Sequence, residues 1–218
     1  MKRIMIFIVL ALFVAVTPVL AAETPNLSVA VAFTAQAPVI DGVLNDAAWL
    51  TASILGAKAV VDQDNLGTSI SSFPRVAYLT YDDKNLYIGM QIPTQDSSKL
   101  KTDAASFWDN DEAEVFLYCP DTMTYYKITV IADGKSYEDK GKNQSSAAVS
   151  TTATGWSIEM VMPFETLGVT PKAGDTWQIG ICGHQVADGD VWITWNPTYG
   201  GFENPARFGN ITFLPVAN

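Results

Sequence analysis

Histidine is almost absent from this sequence, because His184 is the only one among 218 residues. A zinc site built from several histidines is therefore excluded, and a Ser-His-Asp triad would have to use His184. The chain also lacks the strand-turn-helix signature that presents a nucleophilic serine in many hydrolases. Hydrolytic enzymes of these two kinds match the sequence poorly.

Positive charge is scarce as well. The chain has 13 lysines and arginines against 23 aspartates and glutamates, which gives a formal net charge of −10. Two of the basic residues, Lys2 and Arg3, precede the first apolar run, so the remainder has 11 basic and 23 acidic residues and a net charge of −12. Nucleic acids and anionic membranes call for basic patches, so both kinds of partner are disfavoured. The acidic side chains could instead bind calcium or sugar hydroxyls.

Only two cysteines occur, Cys119 and Cys182, and each ends an apolar, strand-like run ("EVFLYC" and "WQIGIC"). In an oxidising compartment the two could form a disulfide. They could equally be two separate small residues of the core, because a sequence gives no distance between them. Both alternatives stay open at this point.

The N-terminus has the pattern of a secretory signal peptide. A short basic start is followed by the apolar run "IMIFIVLALFVAV", and "TPVLAAE" then supplies the small residues of a cleavage site. The apolar run is too short to span a bilayer comfortably. No cysteine directly follows it, which argues against a bacterial lipoprotein anchor, and an uncleaved signal anchor is the alternative. We expect residues 1–21 to be a signal peptide and the mature protein to be secreted or periplasmic.

Beyond the N-terminus, short runs rich in β-branched and aromatic residues alternate with clusters of Gly, Pro, Asn and Asp. This punctuation is typical of an all-β domain. Helical patterns are confined to residues 45–52, with Asn45 or Asp46 as the N-cap, and to a single turn at residues 163–168 that ends at Gly168. The sequence therefore predicts an all-β fold, a single antiparallel β-sandwich of about ten strands with one or two short helical turns.

Residues 38–218 are expected to form this sandwich, and residues 22–37 an N-terminal segment before it. The stretches "YDDKN" (81–85) and "ADGKS" (132–136) predict hairpin turns, the second with Gly134 at a positive φ. The predicted strands are residues 27–33, 75–81, 85–92, 112–119, 125–132, 147–151, 155–162, 176–183, 191–195 and 208–214.

The order of several local patterns carries a family resemblance. These patterns are "IDGVLNDAAW" (40–49), "VAYLTYDDKNLYIGMQI" (76–92), "FWDNDEAEVFL" (107–117), "YYKITVIADGKSYE" (125–138), "GWSIEMVMPFETLGVTPKAGDTWQIGICGHQ" (155–185) and "WITWNPTYGGFENPARFGNITF" (192–213). Together they resemble a family-9 carbohydrate-binding module, within the DOMON-like group of sugar- and haem-binding β-sandwiches. The resemblance implies two antiparallel sheets, frequent structural calcium and recognition of glycans or their ends. Such modules are often attached to glycoside hydrolases, so a separate hydrolase is a candidate partner here.

Trp108 is the first candidate for a binding residue. It stands in the polar, acidic stretch "FWDNDE" immediately before a strand, where a tryptophan is costly to leave in water. An indole can stack on the apolar C–H face of a sugar ring while neighbouring polar groups bind the hydroxyls. The resemblance implies this stacking role for Trp108. The alternative is that Trp108 folds back over the end of the sandwich as a lid.

Glu114 and Lys127 are the second and third candidates. Strand alternation places Glu112 and Glu114 on one face and the apolar residues between them on the core face. The resemblance implies a sugar-binding carboxylate at Glu114 and a basic residue for the hydroxyls at Lys127, where lysine offers a point charge rather than a bidentate fork. The next strand carries Lys127, so a simple Lys–Glu surface pair is the alternative.

A second aromatic cluster lies in "WITWNPTYGGFENPARFG". Trp192 and Trp195 are three residues apart and face opposite sides of a strand, so one belongs to the core and the other can face a ligand. We expect Trp195 to face the ligand with Asn196 beside it, and Tyr199 and Phe202 to be further candidates. The resemblance also brings Gln185 or His184 to the site, whereas a strand-end histidine with a backbone partner is the favoured role for His184. Trp49, Trp156 and Trp177 sit in apolar patterns and are expected in the core.

The sequence thus favours a non-catalytic carbohydrate-binding protein, without a required cofactor and with calcium as a structural ion. The acidic run at residues 109–114 could ligate calcium through oxygen donors, although it lacks the EF-hand spacing. One alternative is a haem-b electron-transfer domain of the DOMON-like group, with Met90, Met160 or Met162 and His184 as ligands; core packing explains the methionines more simply. A small glycoside hydrolase is the second alternative, since 23 acidic residues always offer carboxylate pairs.

The signal-peptide pattern generates the first testable prediction. Cleavage after the small residues of "VLAAE" should leave a mature protein that begins at Ala22 or Glu23. N-terminal sequencing of the exported protein checks this expectation. An exported protein that still begins at Met1 would contradict it.

Overall fold

The computed structural model describes residues 26–120, 123–139 and 145–216, so the predicted signal peptide lies outside the described residues. Within them the chain forms twelve strands and two short α-helices, which confirms the all-β prediction. The strands are β1 (Ser28–Phe33), β2 (Lys58–Asp64), β3 (Ile70–Tyr81), β4 (Asn85–Pro93), β5 (Glu112–Cys119), β6 (Thr124–Ile131), β7 (Ser136–Asp139), β8 (Ser146–Thr152), β9 (Gly155–Pro163), β10 (Thr176–Gln185), β11 (Val191–Thr194) and β12 (Gly209–Phe213). The helices are α1 (Ala47–Ile54) and α2 (Phe164–Leu167).

Six strands close into a ring, in the order β10, β11, β2, β3, β1 and β12, with β12 paired back to β10. Three further strands, β5, β6 and β7, continue the sheet from β10, and β4, β9 and β8 continue it from β3. Hydrogen bonding is therefore continuous through all twelve described strands. The fold is a barrel with two sheet extensions, and the prediction of a two-sheet sandwich is not confirmed.

β1 departs from the predicted antiparallel arrangement. It pairs in parallel with β12, from Ser28 opposite Asn210 to Val31 opposite Phe213, and then with β3. The prediction of a wholly antiparallel sheet is therefore wrong at this strand. β1 also lies within residues 22–37, the segment expected to precede the domain, yet it is one of the six strands of the ring.

Strand alternation explains how the interior is filled. Along β5, Ala113, Val115, Leu117 and Cys119 point into the core. Fully burying one such aliphatic side chain contributes about 1.5–3 kcal/mol, which offsets the entropy of ordering the strand. The tryptophans predicted for the core, Trp49, Trp156 and Trp177, are all buried as expected.

The two cysteines lie on opposite faces of the sheet. Cys119 belongs to the main core, whereas Cys182 packs on the outer side with Phe116 and Phe208. They are therefore not placed to form a disulfide with each other, and the alternative of two separate small residues is confirmed.

The predicted turns and helices are largely confirmed. Tyr81 ends β3 and Asn85 begins β4, and Gly134 has a φ of 89° in the turn before β7. α2 ends at Gly168, whose φ of 70° is the left-handed conformation that glycine favours. α1 starts two residues later than expected, and Asp46 at its N-cap uses its carboxylate to accept the backbone N–H of Val39. In the described part of the chain, no helix has both the length and the apolar character needed to cross a membrane.

Buried Glu159 anchors the loop that precedes α1. Its Oε2 accepts the backbone N–H groups of Asp41 and Gly42, both at 2.8 Å, and its Oε1 accepts the indole N–H of Trp49 at 2.7 Å. Gly42 is required here because an added Cβ would lie 2.4 Å from the carbonyl carbon of Val149. One carboxylate therefore holds both the loop and the helix against β9.

We expect Glu159→Ala to lower the free energy of unfolding by about 3 kcal/mol or more, because two buried donors and one part-buried donor lose a charged acceptor. Chemical denaturation of the two proteins measures the difference. Glu165→Ala is the matched control, since Glu165 is exposed on α2 and its loss should cost less than about 0.5 kcal/mol. Equal stability of Glu159→Ala and wild type would show that the loop does not depend on this carboxylate.

Candidate functional site

The candidate site lies on the outer face, the side of β6, β5, β10 and β11 that points away from the core. Pairing of β5 with β10 sets Glu112 opposite His184 and Glu114 opposite Cys182. The predicted alternation of β5 is confirmed, since the residues between these glutamates are core residues. Despite facing outward, Glu112 and Glu114 are both buried by the segments that cover this face.

Glu114 and Lys127 form an ion pair on this face, with 3.1 Å between Lys127 Nζ and Glu114 Oε1. The predicted proximity of the two side chains is confirmed, although the register sets Lys127 directly opposite Phe116. The Lys127 ammonium also lies 5.1 Å from the centroid of the Phe116 ring. Burial raises the pKa of Glu114, and the positive charge of Lys127 offsets part of that increase. The pair presents an acceptor and a donor that are fixed before any ligand arrives.

Glu203 is a further acidic residue near Glu114, and the sequence patterns did not indicate it. It is exposed in the loop before β12, and its charge contributes to the raised pKa of Glu114. The loop therefore brings Glu203 toward the Glu114–Lys127 pair. A residue so far along the chain could be associated with Glu114 only through the tertiary structure.

Trp108 lies in a short 3₁₀ turn, Phe107–Asp109, that crosses the outer face. At one side the Phe107 ring contacts the Tyr137 ring of β7, with 5.3 Å between centroids. At the other side the carbonyl oxygen of Trp108 lies 2.8 Å from His184 Nδ1 on β10. The indole itself is 55 % exposed, so Trp108 does not close the end of the fold as a lid.

The structure orients Trp192 and Trp195 in the reverse of the expected way. Trp195 is only 4 % exposed and belongs to the core, where its ring packs against the backbone of Gly209. A Cβ at position 209 would lie 2.2 Å from that ring. Ile193, two residues earlier, is also in the core, and this shared face is the signal by which the sequence could have identified Trp195 as a core residue.

Trp192 occupies the position expected for Trp195. Its indole stacks on the His184 imidazole, with 3.9 Å between centroids and 9° between planes, and it meets the edge of Phe202 at 5.6 Å. A cavity of about 310 Å³ opens beside it, lined by Trp192, Phe202, Asn65, Gly200 and Gly201. This volume is at the lower end of the range for small-molecule pockets.

Two predicted polar ligands are engaged in the framework. Asn196 is buried; it accepts the N–H of Leu27 at 3.1 Å and donates to the Arg207 carbonyl at 2.6 Å. Gln185 is also buried and donates to the Phe73 carbonyl at 2.7 Å while accepting the hydroxyl of Ser71 at 2.9 Å. Both side chains tie distant segments together, and neither lines the cavity beside Trp192.

The two aromatic alternatives differ in position. Phe202 is half-buried beside Trp192 and lines the cavity. Tyr199 is half-exposed, and the Arg207 guanidinium lies 5.0 Å from its ring centroid. The structure therefore brings Phe202 to the aromatic wall, whereas Tyr199 stands at its margin.

Glu112 is the most deeply buried carboxylate of the face. Neither of its carboxylate oxygens has a hydrogen-bond partner among the described residues. Burial raises its pKa well above the ordinary value, and the negative charge of Glu114 raises it further, while Arg75 and Lys127 act in the opposite direction. Burial therefore shifts Glu112 toward its protonated form.

The acidic run expected to hold calcium is occupied by hydrogen bonds within the protein. Asp111 accepts the backbone N–H groups of Lys101 and Ala187, and Asn110 Oδ1 accepts that of Ala104. Across the described residues, no three His, Cys, Asp or Glu side chains are grouped closely enough to hold a metal ion. Structural calcium therefore stays a prediction from the family resemblance, with no site assigned to it.

The family of this protein is established by its sequence. The profile described as "Carbohydrate family 9 binding domain-like" matches residues 40–214. The match spans most of the chain, so the protein belongs to this family. Among curated proteins, none matches the chain.

Solved structures are similar to this fold over most of its length. A carbohydrate-binding module of family 9 from Caldicellulosiruptor kristjanssonii in complex with cellotriose has a TM-score of 0.68 at 18 % identity, covering 88 % of this chain and 95 % of that one. Its complex with glucose gives a TM-score of 0.69 at 18 % identity, covering 88 % and 97 %. A putative carbohydrate-binding protein from Bacteroides uniformis gives 0.63 at 13 % identity, covering 87 % and 100 %. At such identities the likeness is one of fold.

The environment of Glu112 generates a prediction about pH. Its pKa is raised in the folded state, so the stability that it contributes is present below its ordinary pKa of 4.5 and is lost as the pH rises through the folded-state pKa. Glu112→Gln removes this titration. We therefore expect the variant to gain stability relative to wild type as the pH rises from about 4.5 to 8.

Denaturation curves recorded across that pH range measure the difference in unfolding free energy. Glu165→Gln is the control, because Glu165 is exposed and its replacement should change the stability little. A constant difference for Glu112→Gln over this range would show that the pKa of Glu112 is not raised in the folded protein.

Proposed function

We propose that this protein is an exported, non-catalytic carbohydrate-binding protein that recognises a plant or microbial glycan, or its chain end, on the outer face. The observation that carries the proposal is that Trp108 is 55 % exposed on the same face as the ion pair of buried Glu114 with half-buried Lys127. Membership of the carbohydrate family 9 binding domain-like family supports the same assignment.

Trp108 supplies the apolar platform of the proposed site. The C–H face of a pyranose ring is apolar, and stacking on an indole removes both surfaces from water. The turn that carries Trp108 is held at both ends by contacts to β7 and β10, so the platform is in place before binding. Such preorganisation reduces the entropy lost when a sugar binds.

In this proposal Glu114 and Lys127 form hydrogen bonds with the hydroxyl groups of the sugar. A carboxylate accepts two hydroxyl hydrogens, and an ammonium donates to a hydroxyl oxygen. Burial strengthens these hydrogen bonds because little water competes for them. The exposed carboxylate of Glu203 could accept a further hydroxyl at the rim.

Trp192 and Phe202 supply the second aromatic wall, in the role first expected of Trp195. Their rings meet edge to face and border the cavity, whereas Trp195 is in the core. An aromatic wall in addition to the Trp108 platform would increase the apolar area that a sugar buries. Asn196 and Gln185 support the site from behind and need not touch the ligand.

The biological setting follows from the N-terminal signal pattern. An exported protein that binds glycans can hold a polysaccharide for a separate glycoside hydrolase, and so serve carbohydrate catabolism. The two family-9 structures of similar fold are complexes with cellotriose and with glucose, which makes cello-oligosaccharides the first ligands to test.

We expect Trp108→Ala to weaken binding of cellotriose by on the order of 2 kcal/mol or more, about 30-fold, because an aromatic anchor at the centre of a site is lost. Isothermal titration of the mature protein measures the affinity. Thermal unfolding should change little, since the indole is largely in water without a ligand.

Leu50→Ala is the matched control. Leu50 is 64 % exposed on α1, which packs against β3, so its loss removes exposed apolar surface without touching the outer face of β5. It should leave the affinity for cellotriose unchanged. The proposal fails if wild type binds neither cellotriose nor any other member of a glycan array, or if Trp108→Ala binds as tightly as wild type.

A further inference from the structure

His184, the single histidine of the chain, contacts both tryptophans of the proposed site, Trp108 and Trp192. It lies on β10 and is buried. Its Nδ1 is 2.8 Å from the carbonyl oxygen of Trp108, and its ring stacks on Trp192 with 3.9 Å between centroids. Trp108 and Trp192 are 84 residues apart in sequence, and this imidazole connects them directly.

The partners of the ring determine which nitrogens carry hydrogen. A carbonyl oxygen can only accept, so Nδ1 donates to Trp108. Nε2 lies 2.8 Å from Oδ1 of the largely exposed Asp190, but it makes no hydrogen bond among the described residues. The directed contact of the ring is therefore the one between Nδ1 and Trp108, and the ring face is covered by the Trp192 indole.

Charged groups approach His184 from several elements. Glu112 of β5 is its cross-strand neighbour, and Glu114 lies two residues further along that strand. From β3, the Arg75 guanidinium donates to the His184 carbonyl oxygen at 2.8 Å. Asp190 approaches from the turn between β10 and β11, with a left-handed φ of 60° that aspartate tolerates better than most residues. The residue is thus held on its ring by Trp192, at Nδ1 by Trp108 and at its backbone carbonyl by Arg75.

We propose that His184 is a positioning residue of the sugar site, which sets the Trp108 platform and the Trp192 wall in one fixed arrangement before the ligand binds. This inference rests on the proposed function, because it assigns the role of a residue within that site. His184 acts through the two tryptophans, because its Nδ1 contacts the Trp108 carbonyl and its ring stacks on Trp192. Without it, the exposed Trp108 turn would have to be ordered by the sugar itself, and that entropy would be lost from the binding affinity.

Two substitutions separate the contacts of the imidazole. His184→Phe keeps a ring to stack on Trp192 but has no N–H for the Trp108 carbonyl. His184→Asn keeps a donor near the position of Nδ1 but has no ring. We expect each variant to bind cellotriose about tenfold more weakly than wild type in isothermal titration. Asp83→Asn is the control, since Asp83 is an exposed acid in the turn after β3, and it should not change the affinity.

A double-mutant cycle tests whether His184 acts through Trp108. In a Trp108→Ala background, His184→Phe should cause little further loss of affinity, because the platform that it positions is already absent. Losses that simply add would overturn the inference and would instead indicate direct contact with the sugar or a general loss of structure. Thermal melts of all variants identify the second of these outcomes.

A spectroscopic measurement tests the contact without any sugar. Because the chain has one histidine, a long-range ¹H–¹⁵N correlation on protein without a histidine tag reports His184 alone. We expect Nδ1 to carry hydrogen at both pH 5 and pH 8. An Nε2–H tautomer with a bare Nδ1 at pH 8 would overturn the inference.

The outcomes distinguish the two proposals. If wild type binds no glycan, the proposed function fails and the positioning role fails with it. If wild type binds cellotriose and Trp108→Ala does not, while His184→Phe and His184→Asn bind as wild type does, the proposed function stands and only the inference about His184 is lost.

Discussion

The buried guanidinium of Arg75 is the contact on which the rest of the site depends. Arg75 belongs to β3, yet its side chain donates hydrogen bonds to the carbonyl oxygens of Glu112 on β5, at 2.7 Å, and His184 on β10, at 2.8 Å. A buried positive charge without acceptors would cost several kcal/mol, so these carbonyls must stay where they are. Gly183 leaves room for this contact, because a Cβ there would lie 2.1 Å from Arg75 Nη1. One side chain therefore fixes the two strands that carry the outer face.

The site spans the junction between the barrel and one of its extensions. Glu114 and Lys127 lie on β5 and β6, which extend the sheet, whereas Trp192 lies on β11 within the ring. β10 stands between them and pairs with both neighbours. The polar and aromatic halves of the site are therefore related through the backbone of a single strand. Cys182 and His184 are two residues apart on the same face of β10. Cys182 packs with Phe116 in the polar half, and His184 stacks on Trp192 in the aromatic half.

Much of this arrangement could be predicted from local sequence. The two-residue period of β5 identified which side chains face outward, and the acidic surroundings of Trp108 indicated an exposed indole. The proximity of Glu114 and Lys127 followed from neighbouring strands joined by a short connection. These features depend on residues close in sequence, where strand geometry alone sets direction and spacing.

The remaining features depend on contacts between distant segments. Asn196 and Gln185 have the composition of ligand-binding residues, but their partners, the carbonyl oxygens of Arg207 and Phe73, could be identified only in the folded chain. β2 and β7 were not predicted because they are short or largely polar, and pairing with β3 and β6 makes them strands. The choice between Trp192 and Trp195 was different, since the shared face of Ile193 and Trp195 was present in the sequence.

The closure of the ring also constrains the order in which the molecule can assemble. The first strand, β1, pairs with the last, β12, across almost the whole described chain. Contacts this distant in sequence fold slowly, because a long loop must close before they are made. The ribosome releases β1 first. The edge of β1 that pairs with β12 therefore stays uncovered until residues 209–213 have been synthesised. Until then β1 presents an unpaired strand edge, which is exposed to mispairing with other chains.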